Sequence, residues 1–357
     1  MEFEEFKEQI KADLPSMLPE HLKNAKIMNH EVEKLQGVSY SGIVIRQEDE
    51  SISPTINITA AFQKYELGMP YEDALKEIAD LVETGLDYTP DMNLSELQDY
   101  SKMRDKLCVQ VVETERNRER LKSLPHKELE DMSMVYRIDL GSSKEGNSSI
   151  LITNQLLNVY GISEEQLHQD AMEVAPIGHP FVIKPMSEVI KEIMKDKDCS
   201  DEEISIIPDE VMQDERMYVA SVSGGNLGAG IITYPDFMEK AAERVGGDFF
   251  ILPSSTHEVL LIPDDGMIDV EILRDMVRDV NDTTVVMEDK LTDSVYHYDN
   301  TAKVFELSEK FEARQRERDM GQNEKSSILK ELGEKVKECA EHPPVRRSLE
   351  LGEGVTI

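Results

Sequence analysis

The sequence contains no tryptophan, only three cysteines and few aromatic residues of any kind. Aromatic side chains are 6% of the chain; they are not interleaved with basic residues as in nucleic-acid readers, and there is no Trp for a stacking platform. The cysteines (Cys108, Cys199 and Cys339) are odd in number and far apart in sequence. They are therefore typical of reduced thiols in a cytoplasm, and they predict neither a disulfide framework nor a zinc site.

Long apolar runs are missing as well. No stretch approaches the roughly 20 apolar residues of a membrane-spanning helix. The N-terminus, MEFEEFKEQIKADL, is acidic and amphipathic, unlike a signal peptide. We therefore expect a cytoplasmic protein that does not contact membranes. Its 357 residues are enough for two or three domains.

Basic residues are scarce: 39 Lys and Arg stand against 73 Asp and Glu, which gives a net charge of −34. The excess is largest over residues 134–303, which contain 33 acids and 13 bases. Such a field repels nucleic acid, so we expect no direct nucleic-acid binding. Two interpretations remain: a well-solvated surface, or a surface that imitates DNA and occupies a DNA-binding protein.

The most apolar stretch of this acidic chain is Gly247–Pro263, GDFFILPSSTHEVLLIP. Two strand-like runs, Asp248–Pro253 and Glu258–Pro263, flank the polar turn SSTH, and this pattern predicts a β-hairpin. Helical patterns precede and follow it.

Patterns earlier in the chain predict the following elements: helix over residues 3–35, a hairpin of Val38–Gln47 with Ser53–Ala60, helices over residues 61–82 and 93–106, and a strand Leu107–Glu113. Two later stretches share the order strand, Gly/Ser turn, strand, helix. The first comprises Met134–Leu140, Ser149–Thr153 and Asn154–Tyr160, and the second comprises Met217–Val222, Ala229–Thr233 and Pro235–Val245. A last strand pair is expected at Val285–Glu288 and Ser294–Tyr298.

Antiparallel hairpins with helices packed on the sheet, in repeated strand-strand-helix units, predict an α+β fold. We expect an N-terminal helical region with one hairpin (1–125), an α+β core domain (126–305) and a charged, partly flexible helical tail (306–357). Whether residues 1–125 form a separate domain stays open. In the tail, Ser308–Arg318 and Ser326–Ala340 have helical patterns, and the second is amphipathic.

The predicted hairpin turn places Ser254, Ser255, His257 and Glu258 within five residues. Nucleophilic catalysis requires a base that reaches a hydroxyl group and an acid that orients the base. Residues so close together in a turn usually cannot adopt this geometry, and no GxSxG motif is present. These four residues are the catalytic candidates, but a turn held by hydroxyl-to-backbone hydrogen bonds is the favoured interpretation.

Other motifs lack the spacing of a cofactor or metal site. The glycine-rich stretch Ser223–Gly230 is followed by a predicted strand and by no Lys-Ser/Thr, so it does not fit a phosphate loop. Asp264-Asp265 and Asp289 with Asp293 lack calcium-loop spacing, and the histidines form no HxH or HExxH motif. We expect no cofactor and no metal.

Three segments resemble a known family: SPTINITAAFQKYELG, GISEEQLHQDAM and GDFFILPSSTHEVLLIPDD. They are similar to the domain-of-unknown-function family numbered 5688, which is common in gut Clostridia and often lies near mobile elements. The similarity runs from about Phe3 to Phe305. A more distant similarity links the chain to an uncharacterised bacillar family, numbered 1444. Neither resemblance implies catalytic residues.

Together these features predict a non-enzymatic binding or regulatory protein of a bacterial cytoplasm that acts through protein contacts. The acidic surface and the tail helix 326–340 are the candidate contact regions. The alternatives are a small-molecule enzyme that uses the Ser254–Glu258 hairpin and an acidic DNA mimic of a mobile element.

Overall fold

The computed structural model describes residues 1–46, 55–87, 94–143, 146–196, 216–253 and 255–341. The chain divides into two compact units, Met1–Phe305 and Glu306–Ile357. The first unit combines helices with antiparallel sheets, which confirms the predicted α+β class. None of the helices in the described part of the chain has both the length and the apolarity that a membrane span needs.

The first unit begins with an antiparallel sheet covered by helices. Its elements are α1 (Phe3–Met17), a 3₁₀ turn (Glu20–Leu22), β1 (Lys26–Glu33), β2 (Ser39–Arg46), β3 (Thr55–Asn57), α2 (Ile58–Glu66) and α3 (Tyr71–Asp87). Phe6, Ile43 and Ile78 are fully buried in its core. This core forms because α1 and α3 each present an apolar face at helical spacing.

The predicted helix over residues 3–35 is wrong beyond Met17. Lys26–Glu33 is instead the strand β1, which pairs with β2 along its whole length. Ladder hydrogen bonds and packing override a helical spacing that is only a weak local preference.

The predicted strand Ser53–Ala60 is replaced by a helix from Ile58 onward. The helix begins there because Asn57 caps it: its side-chain carbonyl accepts a 3.1 Å hydrogen bond from the N–H of Ala60. The predicted pairing with β2 is confirmed for Thr55–Asn57. Residues 47–54 lie outside the described residues.

A second sheet follows. Its region comprises α4 (Leu94–Leu97), α5 (Tyr100–Met103), a 3₁₀ turn (Arg104–Lys106), β4 (Leu107–Glu113), α6 (Arg118–Leu121), β5 (His126–Leu129), β6 (Met132–Ser143), β7 (Gly146–Leu151), α7 (Asn154–Tyr160) and α8 (Glu164–Gly178). The helix predicted over residues 93–106 is broken into short pieces. The strand β6 pairs with β4, β5 and β7. The predicted domain boundary at residue 125 thus lies between two paired strands, β4 and β6.

A third sheet contains the predicted apolar hairpin. Its region comprises β8 (Phe181–Pro185), α9 (Met186–Asp196), β9 (Tyr218–Val222), a 3₁₀ helix (Gly228–Thr233), α10 (Phe237–Val245), β10 (Phe249–Leu252), β11 (Val259–Pro263), α11 (Val270–Thr283), β12 (Tyr296–Asp299) and β13 (Val304–Leu307). Within the first unit the strand order is β12-β10-β11-β9-β8. β10 and β11 pair antiparallel, as predicted, and both are largely buried.

Two strands predicted for this region are wrong. Ala229–Thr233 forms part of the 3₁₀ helix, because a short apolar run does not distinguish a strand from a buried helical turn. Val285–Glu288 forms a turn in which the N–H groups of Asp289 and Lys290 both donate to the carbonyl of Val286. The strand-strand-helix unit therefore occurs at residues 134–160 but not at residues 217–245.

In the second unit, one helix, α12, spans Ser308–Glu341, where two helices were predicted. The intervening residues include only one glycine, Gly321, and a single glycine costs about 1 kcal/mol in a helix interior. Near its start the Arg314 guanidinium pairs with Glu306 at 2.5 Å.

Candidate functional site

The tip of the β10–β11 hairpin is fixed by hydrogen bonds to two neighbouring segments. The N–H of Thr256 donates to the carbonyl of Asp289 (2.8 Å), and its carbonyl accepts from the N–H of Ala229 (3.1 Å). The Ser221 hydroxyl donates to the carbonyl of His257 at 2.7 Å. The turn is thereby attached to both the glycine-rich segment and the 286–290 turn.

The catalytic candidates in this turn do not form a nucleophile–base pair within the described residues. Ser255 is buried, and its hydroxyl oxygen accepts the main-chain N–H of His257 at 3.0 Å. The carboxylate beside the His257 ring belongs to Asp289. Glu258 is half-buried and directly precedes strand β11. Ser254 lies outside the described residues.

Both ring nitrogens of His257 have protein partners. The N–H of Leu227 can only donate, so Nδ1, 3.4 Å away, must accept. Nε2 then carries the hydrogen and donates to Oδ1 of Asp289 at 3.1 Å. The imidazole therefore links the glycine-rich segment to the 286–290 turn, which is a structural role.

The glycine-rich segment Ser223–Gly230 uses its glycines for geometry. Gly224 and Gly225 adopt positive φ angles of 96° and 73°. A Cβ on Gly228 would lie 2.1 Å from Oγ of Ser221 and 2.2 Å from the carbonyl oxygen of His257. Several of its N–H groups already donate within the protein, among them those of Ser223, Gly225, Leu227, Ala229 and Gly230. These N–H groups are not available to cradle phosphate.

This segment covers a pocket of about 130 Å³ on one face of the second sheet. Cys108, Asp139 and His179 line it together with Tyr234. Nε2 of His179 lies 3.5 Å from Oδ2 of Asp139. Burial raises the pKa of the Cys108 thiol to about 12, and the Asp139 carboxylate adds to this rise. The thiol is therefore protonated at neutral pH and is a poor nucleophile.

A larger groove of about 450 Å³ adjoins the pocket through shared residues Ser149, Asn226 and Leu227. Its lining comes from the first sheet, the second sheet, the glycine-rich segment and the 286–290 turn: Glu33, Lys34, Leu35, Gln110, Arg120, Arg137, Ser149, Leu151, Asn226, Leu227 and Glu288. All belong to the first unit. The groove is the place where the first and second sheets meet the loop after β9 and the turn after α11.

Arg137 is the central charged residue of this groove. Its Nε donates to Oγ of Ser149 (2.9 Å) and its Nη1 to Oε1 of Gln110 (3.0 Å). Burial lowers the pKa of the guanidinium. The strand register explains its place, since β6 sets Arg137 opposite Cys108 of β4 and next to Leu151 of β7.

The aspartates considered for cation binding are engaged with other protein groups. Asp264 accepts from Nε2 of the buried His297 at 3.0 Å, and this hydrogen bond lowers its pKa. Asp293 accepts from Asn281 and lies 3.1 Å from Nζ of Lys290. In the part of the chain that the structure describes, no group of three His, Cys, Asp or Glu side chains could hold a metal ion.

Sequence reasoning missed both cavities. Their residues lie between positions 33 and 288, and only strand pairing brings them together. The sequence contains one signal of the groove: Arg137 is the single charged residue in the otherwise apolar run MVYRI.

Comparison with family models finds that residues 3–300 match a family of unknown function, DUF5688. The chain belongs to this family. This confirms the resemblance seen in the sequence, whereas similarity to the bacillar family numbered 1444 is not shown. No curated protein and no solved structure gives a significant match. For this DUF5688 chain, a proposal about function therefore rests on the chemistry of its own residues.

Proposed function

We propose that the chain is a non-enzymatic binding protein whose ligand site is the groove between the first sheet, the second sheet and the glycine-rich segment. The observation that carries this proposal is the convergence of Arg120 and Arg137 on a groove of about 450 Å³. Ligand sites typically occupy about 300–1,000 Å³ and place a few polar groups around the ligand. A site formed by several sheets also gives the bound ligand a means of affecting more than one part of the fold.

The hairpin chemistry supports binding over catalysis. His257 holds two loops together, and the buried Ser255 hydroxyl accepts a main-chain N–H. In the adjoining pocket the Cys108 thiol is held in its protonated form. The small-molecule enzyme hypothesis would need these groups to rearrange before a nucleophile could form.

Thermal denaturation with a panel of small carboxylates, phosphates, sugars and amines tests the proposal. Asn226 lines both cavities, so Asn226→Trp should fill the groove. Leu67→Trp is the matched control, since Leu67 is 89% exposed. A ligand that binds the native state raises the melting temperature.

We expect at least one panel member to stabilise the wild type and the Leu67→Trp control but not Asn226→Trp. Equal stabilisation of all three proteins would place the ligand elsewhere, and no stabilisation by any panel member would reject the groove as a ligand site.

A second candidate function is protein contact through α12. This helix would be about 51 Å long at 1.5 Å per residue, and it exposes the apolar side chains of Met320 and Leu332. A helix with exposed apolar side chains can dock in a partner's groove. The test compares proteins retained by the wild type with those retained by a Met320→Glu/Leu332→Glu variant. A partner held equally by both would exclude this surface.

The DNA-mimic hypothesis requires rows of exposed, unpaired carboxylates. Several acidic residues of the first unit instead form ion pairs, for example Glu77 with Lys64, Glu192 with Lys184 and Asp236 with Lys240. These pairs reduce the free charge from which such rows could be built.

A further inference from the structure

Arg120 and Arg137 differ from two other arginines of the first unit that are partly or fully buried, Arg104 and Arg274. Arg104 lies 2.9 Å from the carboxylate of Asp170, and Arg274 lies 2.5 Å from that of Glu271. Within the described residues, neither Arg120 nor Arg137 has a carboxylate at ion-pair distance. This is notable in a chain with 73 acids and 39 bases, where carboxylate partners are abundant.

In the described part of the chain, the hydrogen-bond partners of the Arg137 guanidinium are neutral groups. Ser149 and Gln110 accept two of its five N–H donors and fix the plane of the guanidinium. A charge removed from water without a counter-charge is costly. A bound anion would supply that counter-charge and could accept two parallel hydrogen bonds from the planar fork.

Arg120 has an unused donor. Its Nε is buried and, among the residues that the structure describes, has no hydrogen-bond partner. Buried polar groups are nearly always satisfied, so the polar contacts of Arg120 are incomplete. Arg120 lines the same groove as Arg137, and Lys34, which lies over the Tyr40 ring at 5.3 Å, lines it as well.

We propose that the groove binds a compact oxyanion, bearing carboxylate or phosphate groups, through the guanidinium groups of Arg120 and Arg137. This rests on the proposed function of the groove as a ligand site. The carboxylates of Glu33 and Glu288 line the groove too, and both residues are exposed. They and the net charge of −34 repel large polyanions, so the site suits a small anion and not nucleic acid.

The experiment is calorimetric titration of the full chain at low ionic strength with three probes: citrate, pyrophosphate and glucose. Citrate and pyrophosphate separate the carboxylate and phosphate sources of the oxyanion, and glucose is the neutral probe. Arg120→Gln removes the charge and the unpaired Nε. Arg118→Gln is the matched control, because Arg118 lies on the same helix, is exposed and pairs with Glu115.

We expect citrate or pyrophosphate to bind the wild type and the Arg118→Gln control. A charge-assisted hydrogen bond contributes enough that Arg120→Gln should weaken binding roughly 10- to 100-fold. Arg137→Lys keeps the charge but loses the planar fork, so it should weaken binding as well. Glu288→Gln should strengthen it, because a like charge leaves the groove. Urea unfolding of each variant verifies that it is folded.

The outcomes separate the two proposals. Equal affinity of wild type and Arg120→Gln for the anions overturns the oxyanion site. Groove binding by glucose alone, abolished by Asn226→Trp, also overturns it but leaves the ligand-binding function standing. Binding of no probe here and of no member of the wider panel rejects both.

Discussion

At the scale of single residues, Gly228 is the described glycine at which an added Cβ would meet the closest neighbours. A methyl group there would meet Ser221 Oγ at 2.1 Å and the His257 carbonyl oxygen at 2.2 Å, and these two groups are themselves joined by a 2.7 Å hydrogen bond. We expect Gly228→Ala to lower the free energy of unfolding by about 3 kcal/mol, as overpacking does. Urea unfolding measures this. Gly178→Ala is the control, since nothing lies within 4 Å of its added Cβ; an equal loss in both variants would contradict the close approach.

His257 is predicted to stabilise the protein and not to act on a substrate. His257→Ala leaves the N–H of Leu227 and the Asp289 carboxylate without this partner. Loss of such contacts costs about 1–3 kcal/mol. His30→Ala, at an exposed position, should leave the urea midpoint unchanged. A urea midpoint of His257→Ala equal to that of the wild type would show that the contacts of the imidazole with Leu227 and Asp289 do not stabilise the fold.

The Cys108 thiol should resist alkylation in the folded protein at pH 8. Its pKa is raised to about 12, chiefly by burial, so almost no thiolate is present. Site-resolved mass spectrometry after iodoacetamide treatment should find Cys108 unmodified in buffer and modified in urea. Rapid modification in buffer would revive a nucleophilic role for the pocket.

The Asp264–His297 pair predicts how the free energy of unfolding falls at acid pH. The hydrogen bond from His297 lowers the folded-state pKa of Asp264 below its ordinary value. The carboxylate's stabilising contribution is therefore complete above the ordinary carboxyl pKa and is lost as the pH falls through the folded-state value. Asp264→Asn should flatten the loss of stability below about pH 4. An acid limb that is identical in Asp264→Asn, Asp265→Asn and wild type would contradict this assignment.

At the scale of elements, local signals predicted much of the fold. The hairpin β10–β11 follows from two apolar runs bounded by Gly247 and Pro263 around a polar turn. The helix Asn154–Tyr160 is capped by Thr153 and ended by Gly161 in a left-handed conformation, both visible as sequence signals. Strand β1 was missed because its identity depends on β2, a partner that local periodicity does not reveal.

The pairing of β4 with β6 also predicts how the first unit unfolds. These strands lie on opposite sides of residue 125 and pair from Leu107 with Ile138 to Glu113 with Met132. We expect hydrogen exchange to show similar protection in both strands, because one cannot open without breaking the ladder of the other. Only the β6 amides that donate to β4 test this, because the others pair with β5 and β7. Protection of those amides that persists after β4 has exchanged would instead indicate separate domains.

At the scale of the whole molecule, the net charge of −34 gave little information about the site. The informative feature is local and opposite in sign: two arginines that line one groove and have no carboxylate partner among the described residues. The sequence contains both arginines, but positions 120 and 137 become neighbours of Lys34 and Asn226 only after three sheets assemble. For that reason the candidate site could not be predicted from motif spacing.

The central claim is that this groove holds an oxyanion on Arg120 and Arg137. The most direct measurement is a crystal structure of the full chain soaked with selenate, whose anomalous scattering locates the anion. The account predicts a selenium peak in the groove, within hydrogen-bond distance of both guanidinium groups, and its loss in Arg120→Gln crystals. Selenate peaks only at exposed lysines and arginines, with none in the groove, would contradict it.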